Sequence, residues 1–324
     1  MRVCVYVPIS LNEKYVNMIY FLVRSFDRFS GLSDYRFVFT VSLDSPIDSN
    51  SPLLDWTKKF PIEFRYCDEK AWAVHAKRAI DEKKPWFQYA ATAKQQMTYD
   101  FDEDVVIFID ADTVVCGSLV EVVARATRER KILGRTAWQP PSIDLARALR
   151  ERGCSERDYG LEYAGYGWSF MEPRACPPYF NFGFVVMPGD LARLMRDNLG
   201  ADGAFVEERF YDVFGLQTAL CLLICRLNLG YGGLDEKYNF GNGDTIIKYP
   251  IHPDPVAARA LYERSVASIK DMRVIHYTVQ LPQFSKDVDM RSWDNVLNFC
   301  AREELGIVNT RLRDTFRLFV GDRF

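Results

Sequence analysis

The sequence predicts an α/β fold with a mixed, mainly parallel sheet flanked by helices, and three observations carry that prediction. The first is Val105-Val106-Ile107-Phe108-Ile109, five apolar residues in a row, the pattern of a strand buried on both faces inside a parallel sheet. The second is the order strand, helix, strand, strand, helix, strand leading up to that run. No tight hairpin signal interrupts it, which argues for βαβ units. The third is bulk: 324 residues, 48% hydrophobic and 26% charged, suit a soluble chain with ample core. With no internal repeat, low-complexity segment or linker rich in Pro, Gly or Ser, one continuous domain is expected over residues 1–290. Residues 291–324 form a helical extension.

Taken in order, Arg2-Val3-Cys4-Val5-Tyr6-Val7 reads as a first strand, closed by Pro8 and the polar loop Ser10-Leu11-Asn12-Glu13. Val16, Ile19, Tyr20, Leu22, Val23 and Phe26 fall at helical spacing, so Tyr15 to Phe29 is a helix packed on the sheet. Arg36 to Leu43 is a second strand, stopped by Asp44-Ser45-Pro46, and Ile62 to Tyr66 a third. Helical text follows over 71–83 and 85–99. Past the buried strand, Leu119 to Arg130 is helical. Residues 135–179 read as a long, irregular, aromatic loop with Trp138, Tyr159, Tyr163, Tyr166, Trp168 and Phe170, of the length that usually marks a lid or binding loop. Tyr179 to Met187 is a strand whose Gly183 marks a close approach to the backbone. Phe214 to Asn228 is an apolar helix with one polar pair, Gln217-Thr218. Met272 to Tyr277 is a late strand containing His276, and the tail from Trp293 to Phe324 is helical.

Charge and cysteine usage narrow the classes. Forty-one basic against 44 acidic residues give a net charge of −3, so no nucleic-acid partner is expected. The 8 cysteines include no CxxC pair, and Cys221 and Cys225, one helical turn apart, read as reduced core thiols. The start lacks the regions of a signal peptide and no run is long enough to span a membrane, so a cytoplasmic location is expected. The tail's Arg311, Arg313, Arg317 and Arg323 alternate with Leu312, Phe316, Leu318 and Phe319. Such a segment either docks on its own domain or rests peripherally on an anionic membrane.

Asp110 and Asp112 close the buried run. In extended backbone, residues i and i+2 project to one side, about 7 Å apart at Cα. Two acids aimed at one point from the carboxyl end of a buried strand suit a divalent cation, at the edge where open α/β sheets bind ligands. The plainer alternative is a polar strand end facing water.

The order of motifs adds a family. Phe108-Ile109-Asp110-Ala111-Asp112-Thr113 is followed by Tyr179-Phe180-Asn181-Phe182-Gly183, then Gly215-Leu216-Gln217-Thr218, Lys237-Tyr238-Asn239 and Val274-Ile275-His276-Tyr277. This resembles a GT-A fold glycosyltransferase over roughly residues 1–280. It is most similar to the retaining family-eight group of glycogenin and galactosyltransferase-like enzymes. The resemblance implies transfer of a sugar from a nucleoside-diphosphate donor, UDP-linked, to a hydroxyl of a glycan or glycolipid. It also implies Mn²⁺ or Mg²⁺ held by Asp110, Asp112 and His276; carboxylates suit a hard cation and the imidazole favours manganese.

Further assignments follow from the same resemblance. The donor would meet Val7, Pro8 and Asn12 of the first loop, Asp44 at the base or ribose, and Arg78 or Lys94 at the diphosphate. Ala111 in the Asp-x-Asp motif and Gly183 complete that set. Asn181 would lie beside the donor sugar and Gln217 near the anomeric carbon, with Asp212 the nearest carboxylate upstream. Residues 1–117 would form the nucleotide-binding half and 118–290 the acceptor-side half. Two positions depart from the family pattern: Leu216 stands where an aspartate precedes the glutamine, and Val279-Gln280-Leu281-Pro282-Gln283 replaces a Lys-Pro-Trp run. An inverting enzyme would need a base such as Asp212, Asp190, Glu207 or Asp235. Two rivals share the fold. A sugar nucleotidyltransferase would open with a glycine-rich basic loop, which Pro8 to Asn12 lacks, and a non-catalytic glycan-binding protein would not need the intact triad.

Overall fold

A computed structural model of the chain describes residues 1–43, 45–67, 99–137, 143–154, 178–210, 215–241, 269–277 and 288–322, with isolated positions between 256 and 267. The central sheet has 7 strands in the order β3-β2-β1-β4-β7-β6-β8. These are β1 (Val3–Ile9), β2 (Tyr35–Val41), β3 (Ile62–Tyr66), β4 (Val105–Ile109), β6 (Ile132–Thr136), β7 (Phe180–Pro188) and β8 (Tyr231–Gly233). A second, three-stranded sheet is ordered β5-β10-β9, from β5 (Thr113–Val115), β9 (Phe240–Gly241) and β10 (Val274–His276). Pairing is parallel from β3 through β2 and β1 to β4, antiparallel on both sides of β7, and parallel again between β6 and β8. The sheet is therefore mixed and mainly parallel, as expected.

The apolar run of β4 is explained by its two covered faces. Val105, Ile107 and Ile109 enter one core with Val5 and Val7, whereas Val106 and Phe108 enter another with Cys4 and Tyr6. Helix α1 (Glu13–Phe29) covers the first face. It is capped by Asn12, whose side chain accepts from the Tyr15 amide, and its Val16, Ile19, Phe21 and Val23 are fully buried. On the other face lie α4 (Gly189–Arg209) and α5 (Gly215–Arg226), contributing Ala192, Met195, Leu220 and Leu223. Gly189 opens α4 where a Cβ would lie 1.9 Å from the Glu103 carbonyl oxygen, so only glycine lets that helix cross the start of β4. Pro8 sits past the last β1–β4 pair, Tyr6 with Phe108, where its missing N–H costs that ladder nothing.

Several elements correct the expectations. Ile132–Thr136 is a full strand, and Leu145–Glu151 is a helix (α3) capped by Asp144, both where irregular chain was expected to begin or continue. Helices α2 (Val120–Glu129), α4 and α5 are separate elements, of which α4 was not foreseen. The 3₁₀ helix Pro52–Lys59 and strands β8 and β9 were not foreseen either. Strand β7, whose direction the sequence left open, runs against both its neighbours and supplies the antiparallel part of the mixed sheet. The aromatic residues from Trp138 to Phe170 lie outside the described residues.

The tail docks on the molecule itself. Helices α6 (Trp293–Ala301) and α7 (Ile307–Arg317) lie over α1, with Phe316 stacked on Phe21 at 4.0 Å and Asn17 donating to the Met290 carbonyl. Three of its arginines donate to backbone carbonyls, Arg311 to Cys116, Arg313 to Arg302 and Glu303, and Arg317 to Cys300, while Arg323 lies outside the described residues. This is the docked alternative. Among the described residues, no helix is long and apolar enough to cross a membrane.

Candidate metal and donor site

Strand β4 ends at Ile109, and the chain then turns through Asp110, Ala111 and Asp112 into β5. This corrects the extended-strand argument for the acid pair, because a turn between two sheets, not the pleat of one strand, brings both carboxylates to one side. The turn is held at three points. The Asp110 amide donates to the Gly183 carbonyl at 3.1 Å, Thr113 Oγ1 donates to the Asp110 carbonyl at 2.7 Å, and the Tyr277 amide donates to the Asp112 carbonyl at 2.9 Å. Antiparallel register sets His276 directly opposite Thr113, which carries its imidazole from 164 residues away to the acids.

There His276 Nε2 stands 3.1 Å from Asp112 Oδ1 and 3.6 Å from Asp110 Oδ2. One ligand atom from each of the three residues lies within 4.8 Å of the others. Gly183 is what admits the ring: a Cβ there would sit 2.3 Å from Cε1 and 2.4 Å from Nδ1 of His276. The electrostatics are those of a site short of positive charge. Burial alone would lower the His276 pKa, but the Asp112 and Asp110 carboxylates outweigh it and push it up to about 9. Desolvation, helped by the Asp112 charge, pushes Asp110 up to about 6 against the pull of His276. With 40% of its side chain exposed, hydration limits that rise. Burial also opposes ionisation of Asp112, yet His276 and then Lys14 hold it below the usual carboxylate range.

The neighbours expected from sequence divide into those brought together and those not described. Asn181 lies two residues before Gly183, and its Oδ1 accepts from the Gly183 amide and from Asn239 Nδ2, both at 2.9 Å. Gln217, 7% exposed in the first turn of α5, accepts from the Phe182 amide at 3.3 Å and donates to the Tyr179 hydroxyl at 3.4 Å. A buried amide is thus satisfied against the same strand. Val7 and Pro8 lie near the carboxyl end of β1, past its last pair with β4 and opposite Phe39 and Thr40 of β2. The loop to Asn12 is tied to the chain after β2 by Leu11–Ser45 and Ile47–Leu11 bonds of 2.8 and 2.9 Å. Ala111 is buried between the acids. Asp44, Arg78, Lys94 and Asp212 lie outside the described residues. Asp190 pairs with Arg130 at 2.5 Å beside Gly189, at the amino edge of β4, so the fold removes it from the site.

Two basic residues were missed. Lys14, in the first turn of α1, is close enough for its charge to lower Asp112, while burial lowers its own pKa. It lies two residues past the Asn12 cap, in a helix whose apolar spacing marks only its buried face. Arg135, 5% exposed in β6, donates to the Asn239 carbonyl and lies 3.9 Å from Glu236. It read as loop because the strand around it, Ile132-Leu133-Gly134-Arg135-Thr136, breaks the apolar pattern.

Comparison with known proteins adds the fold's company. No family model matches the sequence, and no curated protein matches it. Solved structures do. The bifunctional glycosyltransferase WbbM superposes with a TM-score of 0.54 at 18% identity, over 96% of this chain and 51% of that one. The chain thus spans about half the length of WbbM. An active-site glutamine-to-glutamate variant of LgtC gives 0.52 at 15% identity, over 92% of this chain and 94% of that one. The galactosyltransferase LgtC bound to donor and acceptor sugar analogues gives 0.51 at 15%, over 96% of each chain. The mixed α/β architecture built around β4 is the fold shared by these glycosyltransferases.

Proposed function

We propose that the chain is a metal-dependent glycosyltransferase, moving a sugar with retention from a UDP-linked donor to a hydroxyl of a glycan or glycolipid. The observation that carries this is the convergence of Asp110, Asp112 and His276 at the carboxyl edge of a sheet whose fold is shared with glycosyltransferases. Two carboxylate oxygens and one imidazole nitrogen make a donor set for Mn²⁺ or Mg²⁺, with positions left for phosphate oxygens. The space above Gly183, closed to any Cβ, fits that reading. When bound, such a cation supplies Lewis-acid neutralisation of charge on the leaving nucleoside diphosphate.

The chain's own residues divide the remaining work. The loop Val7-Pro8 to Asn12, with Asp44, receives base and ribose in the half before residue 118. Lys14, with Arg78 and Lys94, adds positive charge toward the diphosphate. Asn181 and Gly183 line the donor sugar, and Gln217, held between Phe182 and Tyr179, stands toward the anomeric carbon. That an active-site glutamine variant was made in LgtC supports this role. Asp212 would serve as the nearby carboxylate. Buried free thiols at Cys4, Cys116, Cys154 and Cys300 support a reducing, cytoplasmic setting.

Thermal-shift measurements with nucleoside diphosphates and nucleotide sugars, with and without Mn²⁺, test the reading. One base should stabilise the chain, and only with metal. At a hundredfold excess of ligand over its Kd the gain is about 2.7 kcal/mol. Asp112→Asn should abolish the metal-dependent shift and donor hydrolysis while far-UV circular dichroism is unchanged. An undiminished shift in that variant refutes the site.

A further inference from the structure

The hydrogen-bond chain behind His276 has a direction that can be read from one fixed end. A backbone N–H can only donate, so the Asn181 atom 2.9 Å from the Gly183 amide must be its carbonyl oxygen. That same Oδ1 also faces the Asn239 side chain at 2.9 Å, and an oxygen there requires the donor end of Asn239, its Nδ2. Asn239 Oδ1 is then left facing His276 Nδ1 at 3.2 Å, and an oxygen acceptor requires a proton on Nδ1. The amide orientations are fixed by the network itself rather than by ambiguous atom assignment. Asn239 is 2% exposed, so both ends of its amide must be satisfied inside the protein.

We infer that Asn239, clamped by Asn181, is the positioning residue that holds a proton on Nδ1 of His276, so that Nε2 is the nitrogen that would give up its proton and turn its lone pair to a cation held with Asp110 and Asp112. Metal-bound imidazoles depend on such a partner for tautomer and ring orientation. Here the partner is a neutral amide rather than a carboxylate, which orients the ring without adding a third negative charge to Asp110 and Asp112. The clamp also gives Asn181 a duty separate from the donor sugar, since its carbonyl oxygen is engaged by Gly183 and Asn239.

This inference rests on the proposed metal site, and the experiment separates the two. Mn²⁺ binding to the full chain without nucleotide is measured by calorimetry. If the unmodified chain binds no Mn²⁺, the metal reading itself fails. If it binds, Asn239→Leu should weaken Mn²⁺ by about 10- to 100-fold, the loss typical of removing such a partner. Asn239→Asp still accepts from Nδ1–H but gives up the donor to Asn181 Oδ1, so its Mn²⁺ affinity should stay above that of Asn239→Leu; an Asp variant as weak as the Leu variant counts against the acceptor role. Because a buried Leu can disturb folding, a second readout uses the unmodified chain with Zn²⁺ as a diamagnetic stand-in. It has only 3 histidines, and the resonances lost in His276→Gln identify the ring of interest. Long-range ¹⁵N correlation should show Nδ1 protonated and Nε2 coordinated. The opposite tautomer, or undiminished Mn²⁺ affinity in a folded Asn239→Leu, overturns the inference.

Discussion

His276 keeps 12% of its side chain exposed and faces two carboxylates, so the metal-free site holds a proton that a cation must expel. With its pKa pushed up to about 9, His276 is charged at neutral pH. Apparent Mn²⁺ affinity should therefore rise about tenfold per pH unit from neutrality toward 9 and level off above it. Calorimetry in two buffers of different ionisation enthalpy should register the released proton; an affinity flat over that range refutes the arrangement. The same shift gives stability a sign. The folded pKa of about 9 lies above the ordinary histidine value of 6.5, so the stabilisation is complete below about 6.5 and is lost as pH rises through about 9. Thermal unfolding of the chelator-treated protein should show that decline, and saturating Mn²⁺ should remove it.

Strands β7 and β10 and helix α7 are the elements that hold the ligands in place. β7 crosses against β4 and brings Gly183 under the imidazole, where a methyl group would overlap the ring. Gly183→Ala should drive His276 out and abolish Mn²⁺ binding by calorimetry, whereas the same change at Gly200, whose Cβ would meet nothing within 4 Å, should leave it intact. Behind β10, the Tyr277 ring packs edge-on against Phe316 of α7 at 5.6 Å, and Phe316 also meets Phe21 and Phe299. Phe316→Ala should cost about 3–5 kcal/mol in denaturant unfolding. A loss below about 1 kcal/mol would mean that the tail is only loosely applied.

At the scale of the molecule, one core runs from β1 and α1 through β4 and β5 to Met290, Phe299, Phe316 and Phe319 of the tail. Both sheets and the tail therefore share apolar contacts rather than forming separable layers. Heating should give one transition by near- and far-UV circular dichroism together, and truncation after Met290 should abolish it. A truncated chain that keeps its Mn²⁺-dependent shift would show the tail to be dispensable.

Much of this was legible in sequence because it is local. The five-residue run of β4, the helical spacing of α1 and the apolar α5 all record burial patterns written in consecutive residues. Motif order alone nominated Asp110, Asp112, His276, Asn181, Gly183 and Gln217. Only the tertiary structure could decide how they meet. The acid pair comes together through a turn between two sheets, β7 runs antiparallel, Lys14 and Arg135 approach the site without a mark in their own sequence, and Asn239, part of the Lys237-Tyr238-Asn239 motif, meets His276 only through the fold. The physical reason is that periodicity reports which face of an element is buried, whereas a site is made by strand register and crossing, which bring His276 across 164 residues to Asp112.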